Sequence, residues 1–199
     1  MKCGIPQIDT ELGGIPPLTG ISNRTLSGDV SVGKTVFALV VARLNLPVLY
    51  YDFEQNINSF VFNSYSLPLD GVVVARIPDA SIADELKEDI KLVIVDSITA
   101  VEKPGKFLRE LIYTKLPCLL ITQRRQMPGG PQYLPDESVI DPSLDAVFCL
   151  ESVGMIRSGA RRVGRKVKLV YNDWYGDTLY TAEMTAKFMF SKGFMPNGG

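Results

Sequence analysis

Histidine is absent from the 199-residue chain. With it go imidazole metal ligands, Ser-His-Asp triads and histidine general bases, so any chemistry must use carboxylates, lysine, arginine or a bound metal. Cysteine is scarce. Cys3, Cys118 and Cys149 are odd in number, far apart and form no CxxC pair, which points to neither a disulfide framework nor a zinc site and fits a reducing compartment. A dominant charge is also lacking: 21 Lys and Arg stand against 22 Asp and Glu, a net charge of −1. Bulk charge therefore selects no partner, although a local basic face can still meet nucleic acid. No window approaches the roughly 18 apolar residues a membrane helix requires, and no signal-like apolar stretch opens the chain. The expectation is a soluble, cytoplasmic protein with no membrane partner. What is present is ordinary globular material, 46% hydrophobic and 22% charged, enough for one sizeable domain over 1–199 with a buried core.

Short Val/Ile/Leu-rich runs alternate with helical patterns, the mark of an α/β protein with a mostly parallel sheet flanked by helices. Buried strands are predicted at Pro47–Asp52, Val72–Ile77, Lys91–Asp96, Pro117–Thr122 and Asp145–Leu150. Helices are predicted at Lys34–Leu46, at Ile82–Ile90 with Ser81 and Asp84 spaced like a capping box, and near Lys106–Lys115. After Leu150 the pattern turns to strands, Arg165–Asn172, Leu179–Met184 and Lys187–Phe190, expected as antiparallel strands within 152–199. Residues 1–20 read as a lead-in. Loops are expected at Gly13–Ile21 and at Arg124–Pro142, the latter longer than a connector needs.

Gly28-Asp29-Val30-Ser31-Val32-Gly33-Lys34-Thr35 matches GxxxxGK[ST]. It follows a strand-like stretch, Arg24–Ser27, and precedes an apolar helix beginning at Val36, which is the context this loop requires. Glycines let the backbone wrap phosphates, so that successive N–H groups and the helix N-terminus face negative charge. Lys34 would reach the β- and γ-phosphates of ATP, and Thr35 would offer a hydroxyl to Mg²⁺. Asp29 is unusual, a carboxylate in a loop built to hold anions.

Leu92-Val93-Ile94-Val95-Asp96 ends a buried strand in an aspartate, at the edge where α/β sheets collect ligands. Asp96 is the second candidate for Mg²⁺. Glu54, just past VLYYD, is the candidate to orient or deprotonate the attacking water, with Asp52 as runner-up. Gln123 ends PCLLIT and would lie beside the nucleotide if that strand neighbours the Asp96 strand.

With these residues in place the sequence resembles the RecA/RadA recombinase superfamily, most closely the archaeal RadB-type paralogues, with KaiC-like proteins as more distant relatives. The carrying segments are Gly4-Ile5-Pro6-Gln7-Ile8-Asp9 with Leu12-Gly13-Gly14, the P-loop, Val48–Glu54, Val93–Ala100 and Ile121-Thr122-Gln123. The resemblance implies a RecA-like ATPase core in which Glu54 is the catalytic carboxylate, Asp96 the Walker B acid and Gln123 the link from nucleotide to the following loop. In the family that loop touches DNA, so Arg124 and Arg125 inherit a DNA-contact role. The sequence also departs from its relatives. It shows no N-terminal helical domain or polymerisation linker, so filament assembly is not expected. Asn172–Gly176 carries no cation where many relatives place lysine and arginine that reach a neighbouring subunit's γ-phosphate.

Between Ser152 and Tyr171 lie Arg157, Arg161, Arg162, Arg165, Lys166 and Lys168 with no acidic residue. Such a run can track phosphates. Strand alternation splits it, however, with Arg165, Val167 and Leu169 on one face and Lys166, Lys168 and Val170 on the other. Only a hairpin tip around Ser158–Arg162 would form a coherent patch. Two functions follow as expectations: a DNA-dependent ATPase or recombination accessory binding single-stranded DNA and a recombinase or other protein partner, or an ATP-binding switch or adaptor with little hydrolysis. A small-molecule kinase is weaker, because no arginine-rich lid is recognisable.

Overall fold

The structure, a computed structural model, describes residues 1–23, 33–57, 71–76, 82, 86, 89–122, 125–127, 130–132, 143–173, 175–187 and 195–196. A short helix α1 (Pro6–Glu11) leads into β1 (Leu18–Asn23), and α2 (Lys34–Leu44) follows the phosphate-loop segment. Then come β2 (Val48–Asp52), β3 (Val72–Ala75), β4 (Leu92–Asp96), helix α3 (Pro104–Thr114) and β5 (Cys118–Ile121). A small antiparallel pair, β6 (Arg125–Met127) and β7 (Gly130–Gln132), precedes β8 (Ala146–Ser158), β9 (Arg161–Asp173), β10 (Thr178–Lys187) and β11 (Met195–Pro196).

The main sheet has nine strands in the order β11-β10-β9-β8-β1-β5-β4-β2-β3. Strands β8 through β3 in that order run parallel, and β9, β10 and β11 extend the sheet antiparallel, as expected. Strand β5 lies between β1 and β4, which satisfies the condition set for Gln123. Gln123 itself lies outside the described residues.

Strict alternation assigns each side chain to a face. Val48 and Tyr50 of β2, Leu92 and Ile94 of β4, and Leu119 and Ile121 of β5 pack with Phe37, Ala38, Val41 and Ala42 of α2. The intervening Leu49, Tyr51, Val93, Val95, Cys118 and Leu120 pack with Phe107, Leu108 and Leu111 of α3 on the other face. Helix α2 stops at Leu44, short of the predicted Leu46: the Asn45 side chain donates to Val41 O and to Lys2 O, at 2.7 and 2.8 Å. Helix α3 starts at Pro104, two residues early, because proline suits a first helical turn, and closes at Lys115 in the left-handed region (φ 57°).

The loop expected at Gly13–Ile21 is corrected. Leu18–Asn23 forms β1, a central strand paired on both sides. Its sequence LTGISN is too polar to announce itself, and its burial is supplied by neighbours distant in sequence. Gly20 is needed there, since a Cβ would meet Leu144 Cδ1 at 2.6 Å. The predicted strand Arg24–Ser27 lies outside the described residues, as do Ile77, most of the predicted helix 82–90 and residues 188–190. Of that helix, Leu86 N–H still donates to Ile82 O at 3.1 Å, an i to i−4 bond. Among the described residues no helix is long and apolar enough to cross a membrane.

Phe148 on β8 ties α2 to the β8–β9 hairpin. Its ring meets Phe37 edge-on at 4.8 Å and stacks on Tyr171 at 4.5 Å. All three are buried. Phe148→Ala is expected to cost about 3–5 kcal/mol of stability, read as a lower urea midpoint at unchanged slope; a loss below about 1 kcal/mol would mean the site collapses around the missing ring.

Candidate functional site

The candidate residues converge at the carboxyl ends of β1, β4 and β2. Gly33 caps α2 in the left-handed region, φ 93°, which a side chain disfavours. Lys34 and Thr35 then open the helix on the face toward the sheet. Lys34 is 5% exposed, and its Nζ lies 3.5 Å from Asn23 Oδ1 at the end of β1. Burial lowers the pKa of its ammonium, while Asp96 and then Glu54 oppose that by favouring the charge.

Alternation puts Leu92, Ile94 and Asp96 on the α2 face, so the carboxylate of Asp96 points to the helix start. Thr35 Oγ1 donates to Asp96 Oδ2 at 2.7 Å, and Tyr50 Oη donates to the same oxygen at 2.9 Å. Asp96 is 1% exposed. Burial raises its pKa to about 6; the bonds from Thr35 and Tyr50 pull it back down, and the Glu54 and Asp52 charges push it up again.

Glu54 follows β2 in a turn held by the Asp96 backbone, whose carbonyl accepts from Phe53 N at 2.8 Å and Glu54 N at 3.3 Å. Its side chain is fixed from two sides. Ser97 Oγ donates to Oε1 at 2.7 Å and Asn56 Nδ2 to Oε2 at 3.2 Å. Thr99 Oγ1 lies 2.7 Å from Ser97 Oγ; because an ionised carboxylate only accepts, Ser97 gives its proton to Glu54 and Thr99 must donate to Ser97. The Asp96–Ser97 peptide is cis.

Asp52, the runner-up to Glu54, is occupied otherwise. It is fully buried, its oxygens accept Asn56 N and Ile57 N, both at 2.8 Å, and Arg76 Nε stands 3.7 Å from Oδ2. Arg76 also donates to Ile57 O. Asp52 therefore shapes the turn that carries Glu54. Tyr50, Ser97, Thr99 and Asn56 were not singled out by sequence, because register and loop closure rather than a motif bring them here.

Lys34, Thr35, Asp96 and Glu54 are thus gathered, with Val36 the third residue of α2. Gly28, Asp29, Val30, Ser31, Val32 and Arg124 lie outside the described residues, as does Gln123. Arg125 begins β6. The hairpin register sets Arg157 opposite Arg162 and Ser158 opposite Arg161, with the turn at Gly159-Ala160, so three arginine positions meet at the tip. Arg165 does not join them. It is 7% exposed, with Nη1 3.4 Å from Ser152 Oγ, because its parity matches that of buried Val167 and Leu169. Lys168 has Glu151 and Glu183 as its cross-strand neighbours, so its charge is locally matched.

The donor set fits a nucleotide-bound magnesium ion. Among the described residues no group of three or more carboxylate, thiol or imidazole side chains could cage a metal. Mg²⁺ asks for less, typically one or two protein oxygens with phosphates and waters completing the shell. Thr35 and Asp96, 2.7 Å apart, would supply that pair.

No protein-family model matches the chain, and no curated protein matches it in sequence. Among solved structures it is similar to one described as the crystal structure of the RadB recombinase, with 16% identity and a TM-score of 0.61 over 92% of this chain and 94% of that one. The likeness establishes a RecA/RadB-like fold, in agreement with the sequence resemblance and with the mostly parallel sheet carrying antiparallel C-terminal strands.

The raised pKa of Asp96 has a definite sign for stability. Its folded value of about 6 exceeds the ordinary 3.8, so the folded state holds the proton more tightly, and stability falls as pH rises from about 4 through about 6. At about pH 8 the cost is on the order of 3 kcal/mol. Asp96→Asn keeps an acceptor for Thr35 and Tyr50. In metal-free buffer it is expected to gain on the order of 2 kcal/mol over the parent at about pH 8 and almost nothing near pH 4, measured by urea unfolding; an equal offset at both pH values would contradict the assignment.

Proposed function

We propose that the chain binds ATP with Mg²⁺ and hydrolyses it slowly in a DNA-linked role, as a recombination or repair ATPase or accessory factor. The observation that carries the reading is the Thr35–Asp96 contact of 2.7 Å, beside a buried lysine and a glutamate held by Ser97. In this reading Lys34, with Gly28 to Gly33 and the start of α2, compensates phosphate charge. Thr35 and Asp96 would hold Mg²⁺, which when bound screens the phosphates and polarises the transferring group. Glu54 sits next to that pair with its carboxylate oriented by Ser97 and Asn56, and it orients and takes a proton from the attacking water. Gln123, following β5 beside β4, senses the γ-phosphate and passes its state to the loop at 124–142.

For nucleic acid the reading uses Arg124 and Arg125 with the hairpin tip at Arg157, Arg161 and Arg162. Arg165 is dropped because it is buried, and Lys168 because two glutamates flank it. The partner is single-stranded DNA, with a recombinase or other protein as a further partner. The nucleotide switch with little hydrolysis is favoured by one observation. Asp173 caps the β9–β10 turn, its Oδ1 accepting Asp177 N at 2.8 Å, so a turn acid stands where many relatives reach across with a cation.

Lys34→Ala is expected to weaken ATP binding at least tenfold, by removing the charge-assisted contact to phosphate. Glu54→Gln is expected to leave binding within about threefold but lower turnover about 10²-fold or more. Turnover of the parent is measured with Mg²⁺, with and without single-stranded DNA, at low and high salt. Stimulation by DNA that disappears in high salt supports the DNA-linked ATPase. Tight binding without turnover in either condition would leave the switch.

A further inference from the structure

Among the described residues Tyr50 is a buried titratable side chain at the site for which the mechanism above has no use. It lies on β2 in register with Ile94 of β4, and shares its face. A tyrosine in that row would ordinarily be a phenylalanine or leucine, since its neighbours are Val48, Leu92, Ile94 and the apolar side of α2. The hydroxyl spends itself on Asp96. It is fully buried, burial together with the Asp96 charge holds it protonated, and it donates at 2.9 Å to the oxygen that Thr35 also addresses.

The two donors differ in what a metal would demand of them. A threonine hydroxyl would ligate Mg²⁺ through a lone pair and keep its proton for Asp96, so Thr35 would be shared between ion and carboxylate. Tyr50 has no such second role: its ring is packed in the core with the apolar side of α2, and its hydroxyl serves Asp96 Oδ2. Tyr50 is therefore the donor whose position is fixed by the core and not by the metal, and it holds Asp96 Oδ2 and the carboxylate's orientation. Removing a donor that holds a ligating carboxylate in this way typically costs about 10- to 100-fold in metal affinity.

We propose that Tyr50 is a positioning residue for the Mg²⁺-binding carboxylate of Asp96, so that its hydroxyl sets how much Mg²⁺ the site needs to bind nucleotide. The inference rests on the reading of Thr35 and Asp96 as the magnesium pair. It concerns binding and stands whether or not ATP is hydrolysed.

The test follows a fluorescent ATP analogue binding to the full chain as Mg²⁺ is titrated, in the parent, Tyr50→Phe, Asp96→Asn and the double variant, with thermal melts to show each is folded. Phenylalanine keeps the ring and removes only the hydroxyl. Tyr50→Phe is expected to raise the Mg²⁺ midpoint about tenfold while leaving metal-free nucleotide binding unchanged. In the Asp96→Asn background the same substitution is expected to add almost nothing, because the two act through one carboxylate. An unchanged midpoint in Tyr50→Phe, with Asp96→Asn shifting it, would overturn the role of Tyr50 alone. An equal shift by Tyr50→Phe in both backgrounds would also overturn it, since the effect would then bypass Asp96. If Asp96→Asn itself leaves the Mg²⁺ dependence intact, the assignment of the magnesium pair fails, and this inference fails with it.

Discussion

A carboxylate that is 1% exposed must be met by donors or lose its charge, and Asp96 is met from three elements. Thr35 comes from the start of α2, Tyr50 from β2, and the backbone of the same residue accepts the amides of Phe53 and Glu54 from the turn after β2. The constraint works in both directions. To satisfy the carboxylate, the start of α2 must sit against the ends of β4 and β2, and the turn carrying Glu54 folds back over β4 by bonding the backbone carbonyl of the same residue. The relative placement of Lys34, Thr35 and Glu54 thus centres on one buried residue.

The layers that make this possible rest on the period of two. Because Val48, Tyr50 and Asp52 share a face with Leu92, Ile94 and Asp96, one row of apolar side chains under α2 ends in two adjacent acids, Asp52 and Asp96, which are register partners. Like charges so placed repel. Among the described residues the Asp52 carboxylate meets two backbone amides and Arg76, and the Asp96 carboxylate meets the hydroxyls of Thr35 and Tyr50. Asp52 is thereby committed to the turn it holds, whereas the partners of Asp96 are side chains from two other elements.

What was legible in the sequence follows the same physics. GDVSVGKT and LVIVD are contiguous, since a phosphate cradle and a strand-end acid each need their residues in one stretch of chain, and β2, β4 and β5 declare themselves as runs of apolar residues buried on both faces. The RecA-like architecture could be read from these. β1 could not, because LTGISN owes its burial to β5 and β8, which arrive more than 90 residues later. Tyr50 and Ser97 lie inside segments that carry the resemblance, but the contribution of Tyr50 is a property of the β2–β4 register and that of Ser97 depends on the turn closing over β4. Arg165 shows the converse case. Alternation already splits the six cations between two faces in the sequence, but which face is buried is set by the packing: Arg165 goes inward, and register puts Glu151 and Glu183 beside Lys168.

Among the described residues the charges around the site do not balance. Asp52, Asp96 and Glu54 bring three carboxylates to the ends of two neighbouring strands, and the cations drawn to them are Arg76, engaged by Asp52, and Lys34. Lys34 feels both Asp96 and Glu54, yet its own burial works against its charge, so it is an incomplete counterion to two acids and, in the proposed role, is also required by phosphate. Adding a triphosphate alone would deepen the excess of negative charge. A divalent cation placed at Thr35 and Asp96 relieves the repulsion between protein carboxylates and phosphate at the same time, so metal and nucleotide should each favour the other's binding. In the proposed role, the electrostatics of this corner therefore favour the two ligands together over either one alone.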